Sequence, residues 1–423
     1  MYYKKQGGLL KYKRTTFLTV FILIIFITVP GFGGGFQVNE HGARGTAMGG
    51  AVFASLKDAS AIYFNPGALG YLDGTSIVFG STLIFPDAKF RGPAPSVEET
   101  SIERGVFYPS VLYASHTLPG NLAFGIGVFN PYGLGTEWPS DWVGRFIAIE
   151  STLRTFFINP TVAYRFNEYI GVGAGFNYVI GDVELTQAIA FAPFSGEGVA
   201  NLSGSGTGIG WNLGVYLTPD PNVTIGLAYR SSVDVDFEGD AEYSDVPAQL
   251  TDLLPGDEVS TSVSLPANVH AGISFKGIEN FVVSFGYQYI FWDAVQDITI
   301  EFDDGAETQT LDLNYSDGYI LRFGLEYLVN EAFALRGGYL FDSNPTPDEY
   351  LTPRLPDSDR HGFTIGAGYN FTETFGVDVG YMFLRFVERD TENSNIEYAP
   401  GAPMNGRYNS SANLLSLNFR FNF

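Results

Sequence analysis

Cysteine is absent from this chain of 423 residues, so neither a disulfide framework nor a thiolate-held metal is open to it. Histidine is nearly as scarce. His41, His116, His270 and His361 are scattered, with no Ser/His pairing, no metal-ligand spacing and no Gly-x-Ser-x-Gly motif. The sequence therefore predicts no catalytic residue, no metal and no cofactor. Basic charge is short as well: 23 Lys and Arg stand against 46 Asp and Glu, a net charge of −23, which removes the electrostatic footprint of a nucleic-acid binder. Charged residues total only 16%, well below the roughly 25% usual in soluble domains. Beyond residue 33 no apolar run is long enough for a transmembrane helix.

What the chain has is aromatic and small: 37 Phe, 25 Tyr and 51 Gly, spread evenly. Residues 1–33 read as a signal peptide. Lys4, Lys5, Lys11, Lys13 and Arg14 form its basic region and Phe17 to Val29 its apolar one. That run reaches only about 20 Å as a helix, short of a bilayer core. Gly31-Phe32-Gly33 places small residues at −3 and −1 of a cleavage site after Gly33; a retained anchor is the alternative.

Past residue 73 the period is two. Phe375, Val377, Val379, Tyr381 and Phe383 share one face, and Gly376, Asp378 and Gly380 the other. Phe363, Ile365, Ala367, Tyr369 and Phe371 oppose Thr364, Gly366, Gly368 and Asn370, and Val172, Ala174, Phe176 and Tyr178 oppose Gly173, Gly175 and Asn177. A face of Gly, Ser, Thr and Asn suits a confined polar lumen, leaving the apolar face for lipid. Fourteen strands are expected, near 74–85, 105–117, 121–130, 151–166, 169–187, 204–218, 222–238, 259–275, 280–302, 309–328, 331–342, 361–371, 374–389 and 411–423. Short connections such as Leu118–Gly120 alternate with mostly long ones such as 188–203, 239–258 and 343–360, as periplasmic turns and extracellular loops do. Acid clusters at Asp234 to Asp245 and Asp303-Asp304 are expected in exposed loops. The glycine runs Gly171–Gly175 and Gly204–Gly210 fall inside strands and are not phosphate loops. The chain ends on an amphipathic strand closed by Phe423, which resembles a signal for the barrel-insertion machinery. The predicted fold is all-β: a 14-stranded antiparallel transmembrane β-barrel over 73–423, in the outer membrane of a Gram-negative-type bacterium.

One mature stretch, 34–72, fits no strand. Gly45, Gly49, Gly50 and the Asn65-Pro66-Gly67 turn let it fold tightly, and Ala51, Val52, Phe53, Ile62, Tyr63 and Phe64 are too apolar for a disordered tail. A fourteen-stranded lumen is wide enough to leak. This segment is therefore expected to be a hatch that plugs it.

Ordered motifs run through nearly all of the mature chain: Gly35-Phe36-Gln37-Val38-Asn39-Glu40, Asp58-Ala59-Ser60, Asn65-Pro66, Asn130-Pro131-Tyr132-Gly133-Leu134, Trp142-Val143-Gly144-Arg145-Phe146, Gly210-Trp211-Asn212, Ala228-Tyr229-Arg230-Ser231, Leu265-Pro266 and Pro356-Asp357-Ser358-Asp359-Arg360. In these the sequence resembles the FadL/TodX family, outer-membrane transporters of long-chain fatty acids and aromatic hydrocarbons. The resemblance implies a monomer that catches a hydrophobic ligand among extracellular loops. It then passes the ligand to a pocket beside the hatch and releases it sideways into outer-membrane lipid through a kink in the third strand. It places Phe36 in the pocket and uses Asn65, with Pro66 and Gly67, to hold the hatch against the kinked strand. Gly214 is matched to a glycine at the lateral opening. Gly125 and Gly127, just before Asn130 and Pro131, lie where the kink is expected, or are ordinary barrel glycines. Ile189, Phe191 and Phe194, with Leu250, Leu253 and Leu254, are expected to form the outer groove or to pack loop on loop.

One departure stands out. Where fatty-acid members carry an Arg near the end of the fifth strand, this sequence has Gln187, and the second basic position falls near Leu311. That favours neutral hydrocarbons or another clamp. Arg165, Arg230, Arg322, Arg336 and Arg420 have lumen-side parity and are expected to pair with acids such as Glu326 and Asp378. A general diffusion porin and an outer-membrane lipid-modifying enzyme are the alternative readings.

Overall fold

Alternation in the sequence becomes alternation of exposure. The structure is a computed structural model that describes residues 34–191, 196–304 and 308–423. Its wall consists of β1 (Thr75–Arg91), β2 (Ser110–Thr117), β3 (Leu122–Phe129, then Gly133–Glu137), β4 (Glu150–Arg165), β5 (Ile170–Ala190), β6 (Glu197–Asp220) and β7 (Val223–Arg230, then Val233–Ser244). It continues with β8 (Glu258–Leu265, then Asn268–Ile278), β9 (Phe281–Ile290, then Asp297–Phe302), β10 (Gln309–Asp312, then Gly318–Leu328), β11 (Phe333–Asp342), β12 (Arg360–Asn370), β13 (Phe375–Phe386) and β14 (Gly406–Asn422). These fourteen strands pair antiparallel with their neighbours, and β14 returns to β1 from Ser76↔Asn422 to Arg91↔Arg407. The sheet therefore closes on itself.

On the outside, Phe363, Ile365, Tyr369, Phe371, Phe176 and Tyr178 are exposed, and the intervening Asn177 is fully buried. Inward polar side chains satisfy one another, as in Ser274 with Ser284 (3.0 Å) and Thr82 with Ser416 (2.7 Å). No described helix is long and apolar enough to cross a membrane. The strand count agrees with the sequence, but several ends do not. β1 runs on to Arg91, β14 begins at Gly406, and β5 and β6 extend to Ala190 and Glu197. The acids from Asp234 to Glu242 lie on the second half of β7 and not in a loop; they alternate outward against buried Val235, Phe237 and Ala241. Apolar-inside, acid-outside is a strand pattern for the water above a membrane, and a lipid-based expectation misses it.

The segment 34–72 packs inside the barrel against its wall. It holds α1 (Ala43–Ala47), α2 (Ala61–Phe64) and a 3-10 turn (Pro66–Tyr71). Its contacts go all round the wall. Thr364 Oγ1 of β12 donates to Ala47 O (2.9 Å), Tyr216 Oη of β6 and Thr224 Oγ1 of β7 donate to Ala54 O (2.9 and 2.6 Å), and Ala59 N donates to Ser76 Oγ of β1 (3.1 Å). Wall glycines are the seats for this segment. A Cβ added to Gly226, Gly338 or Gly380 would lie 2.2–2.5 Å from backbone atoms of Phe53, Met48 or Ala43. Charge fixes it further: the buried Glu326 carboxylate accepts from Arg44 Nε (3.1 Å) and Lys57 Nζ (2.6 Å) of the segment, and from Arg336 Nε (2.8 Å) of the wall. Asp378 accepts from Arg336 (2.6 Å) and Arg420, the expected acid pairing. The other three arginines bind neutral groups instead. Arg165 donates to Asn121 Oδ1 (2.6 Å), Arg230 to Asn177 Oδ1 (2.8 Å), and Arg322 to Gln288 and Asn39 (both 2.8 Å).

Candidate functional site

The wall is irregular at β3. Pro131 brings no N–H to the ladder, and the preceding residue is sterically held out of helical conformations. Pairing with β4 shifts there, from Phe129↔Phe157 to Gly133↔Arg154, so three residues, Asn130 to Tyr132, oppose two: a bulge. Asn130 staples the bulge by accepting from Ser110 N (3.2 Å) and donating to Thr155 O (2.6 Å). Beyond it the second half of β3 keeps β4 but has no ladder to β2.

What it pairs with instead is the start of the inner segment. Val38 N donates to Pro131 O (2.9 Å) and Gly133 N to Phe36 O (2.8 Å), with Gln37 and Tyr132 as the bridged pair. Residues 36–38 are thus a strap across the break. Its far end is pinned by carboxylates: Gly34 N donates to Asp342 Oδ2 (3.0 Å) and Gly35 N to Asp357 Oδ2 (2.9 Å). Arg360 pairs with Asp357 and lies 3.9 Å from Asp342. Gly35 has φ +57°, and a Cβ there would sit 2.6 Å from the Trp292 ring, so only glycine fits. Phe36 stands edge-on to Trp292 at 4.8 Å.

Above the strap lies a cavity of about 520 Å³ whose walls include Phe36, Leu153, Val183, Leu185, Phe237 and Ile300. That is within the roughly 300–1,000 Å³ of small-molecule sites, and the lining is of the apolar kind such sites favour. A smaller cavity of about 140 Å³ lies beside it, bounded by Ile189, Phe191, Tyr243 and Leu254. The two share a neck of Leu185, Gln187, Leu202, Leu311 and Arg354. In that neck Arg354 Nη2 donates to Gln187 Oε1 (2.5 Å) and Nη1 to Ser151 Oγ (3.2 Å). Burial pushes this guanidinium down to about 10.

Phe36, Gln187, Ile189, Phe191 and Leu254 are therefore brought to one cavity system, while Leu250 and Leu253 do not line it and Leu253 is solvent-exposed. Phe194 lies outside the described residues. The gating candidates all lie where the inner segment meets the wall. Asn65 does not hold the kinked strand; its Nδ2 donates to Val215 O of β6 (3.0 Å) while its Oδ1 caps Gly67 N (3.0 Å), with Pro66 opening the 3-10 turn. At Gly214 the space of the missing side chain is filled by Asn65 Oδ1 and Pro66. Gly125 and Gly127 stand in regular pairing ahead of the bulge, where Ile62 of α2 fills the space beside them. Sequence reasoning did not single out Arg354, Trp292 or Asp342. A lone Arg inside Leu351–Pro356, a loop stretch otherwise without charge, was the available signal for the first.

Gly214→Glu is thus expected to displace the 3-10 turn. A Cβ there lies 2.3 Å from Asn65 Oδ1, and such overpacking costs about 1–3 kcal/mol or more. A lowered urea midpoint of the refolded barrel checks this, and an unchanged midpoint contradicts it.

A closed fourteen-stranded barrel with a segment packed inside it, a bulged strand and an apolar cavity at the bulge is the architecture of an outer-membrane transport protein for hydrophobic compounds. The chain belongs to the family described as outer membrane protein transport protein (OMPP1/FadL/TodX), whose model matches residues 24–423. It is a transport protein of the outer membrane and not an enzyme. Among relatives, a long-chain fatty acid transport protein of Salmonella typhi is 26% identical over 86% of this chain and 90% of its own length. A 47 kDa outer membrane protein of Pasteurella multocida is 27% identical over 92% and 94%. Solved structures share the fold: a Pseudomonas aeruginosa FadL homologue (TM-score 0.81, 20% identity, 92% of this chain and 100% of that one) and the Pseudomonas putida toluene transporter TodX (TM-score 0.74, 19% identity, 92% and 100%).

Proposed function

We propose that hydrophobic molecules are caught in the outer cavity at Ile189, Phe191 and Leu254, pass the Gln187 neck, and settle in the inner cavity against Phe36. They then leave sideways through the bulge of β3 into lipid. The observation that carries this reading is that the strap flooring the cavity is the same stretch that pairs with the bulge, so movement of the strap alters the cavity floor and the wall together. Sideways exit suits the cargo, because an apolar ligand loses about 0.8 kcal/mol per CH₂ on entering water and little on entering lipid. The segment 34–72 acts as the hatch, which disfavours a general diffusion porin. The protein acts as a monomer, and its last strand, ending at Phe423, serves the insertion machinery.

Two relatives frame the cargo, one named for long-chain fatty acids and one for toluene. Cells lacking their own homologue are expected to gain uptake of labelled oleate or toluene when they carry this chain, with little steady ion conductance from the purified protein in planar bilayers. No uptake of either, or large stable currents, would overturn the reading.

A further inference from the structure

Charge on the outer face of the wall is sorted by sector. Every second residue from Asp234 to Glu242 on β7 is an exposed acid, and exposed Asp182 on β5 and Glu258 on β8 flank them. Where β13, β14 and β1 close the sheet, the ladder sets the outward residues in rows of a different kind. Leu83, Leu415 and Tyr381, all exposed, share one row, and Phe85, Asn413 and Phe383 the next. One row higher stand Asp87, Ser411 and Arg385, with His361 of β12 beside Arg385. Lys89 and Asn409 follow, then Arg91 opposite Arg407. Rows are about 6.8 Å apart along a strand, so the cations begin one step above the last aromatics.

Acids stand near these cations, and most are already engaged. Glu388 (2.9 Å) and Asp390 (2.6 Å) both hold Arg407, and Glu99 lies 4.0 Å from Lys89. Asp87 is separated from Arg385 by Ser411 of the strand between them. Arg385 and Arg91 have no ion pair among the described residues. Arg91 also faces Arg407 directly, and like charges so opposed repel, which an anion lying across the rim relieves. We propose that this closing seam binds one phosphorylated glycolipid of the outer leaflet, its acyl chains on Leu83, Leu415 and Tyr381 and its phosphates at Arg385, Arg91 and Arg407. Charge complementarity selects this occupant. A guanidinium fork meets phosphate oxygens in pairs, whereas the acids of β7 repel them. The neutral Ser411, Asn409 and Asn413 among the cations offer donors and acceptors for sugar hydroxyls. Hydrocarbon below and cation above is the order of a lipid and not of a soluble anion. A lipid seated there bridges the first strand of the barrel to the last.

The test uses the purified mature protein in a nonionic detergent, with bound lipid counted by native mass spectrometry. Bisphosphorylated lipid A is compared with the same lipid stripped of its phosphates. Wild type is expected to hold the phosphorylated form roughly 10- to 100-fold more tightly, the range of one or two charge-assisted hydrogen bonds. Arg385→Gln with Arg91→Gln should bring the two lipids level without weakening the stripped one. Arg154→Gln, on β4 opposite Asp182, should leave the preference intact. Arg385→Lys with Arg91→Lys should keep part of it, which separates loss of charge from loss of fold. The site is overturned if the Gln pair keeps the wild-type preference, if Arg154→Gln loses as much, or if the Lys pair loses all of it. Equal binding of both lipids by wild type overturns it as well. Displacement of the lipid by millimolar inorganic phosphate would also overturn it, by marking a site for small anions.

Discussion

Glu326→Gln is expected to convert a nearly closed barrel into a conducting one. The carboxylate is buried in β10 and accepts from three cations, two of them, Arg44 and Lys57, on the inner segment. Taking its charge away leaves the buried Arg44 without its counter-ion; Lys57, whose side chain is 44% exposed, is screened by water, and Arg336 retains Asp378. Removing one member of a buried ionic group costs about 3–5 kcal/mol, because the partner charges stay desolvated. The wall does not share that loss, since its ladder of backbone hydrogen bonds is closed from β1 to β14. The penalty therefore falls on the seating of the inner segment. Single-channel recording should show frequent openings in Glu326→Gln and few in wild type, with the same folded band on unheated gels. Silent traces from the variant would mean that the glycine seats alone hold the segment.

A disulfide between positions 37 and 132 is expected to stop uptake and a reductant to restore it. Gln37 and Tyr132 are the bridged pair between strap and bulge, and opposed residues of an antiparallel bridge sit at about 4.5–5.5 Å, inside the span a disulfide closes. The natural chain contains no cysteine, so Gln37→Cys with Tyr132→Cys forms one possible intramolecular bond. Oxidised cells should fall to the uptake of cells carrying no copy, while the reduced double variant and each single variant stay active. Undiminished uptake under full oxidation would show that the strap need not leave the bulge.

The barrel was readable because its signal is repetitive. A period of two, sorted loops and an aromatic end recur over some 350 residues, and a mistake of a few residues at one strand end changes nothing globally. The site was less readable because it depends on which distant residues meet. Asn130 and Pro131 announce an interruption by chemistry alone, since proline cannot donate. Nothing local announces that the strap of Phe36 to Val38 fills it, or that Asp342, some 300 residues away, ties down Gly34. Gly214 and Gly127 show the same limit from the other side: a missing side chain is visible in the sequence, and its occupant, Pro66 or Ile62, is not. Gln187 could be seen to lack a charge, while Arg354, which supplies one there, sits 167 positions further on.

The tight fit at Gly34 and Gly35 also has a practical side for anyone labelling the protein. A Cβ at either position would collide with Asp342 or Trp292 at 2.5–2.6 Å, so a reporter grafted there would unseat the strap it was meant to report on. Gly120 and Gly401 leave open space around an added Cβ, but their φ of +99° and +72° would strain any side chain there, so exposed non-glycine positions such as Glu373, on the β12–β13 turn, and Val97, 83% exposed beyond β1, offer free ground at the two ends. A dye pair built from those two positions would watch the barrel from both ends and leave the strap untouched.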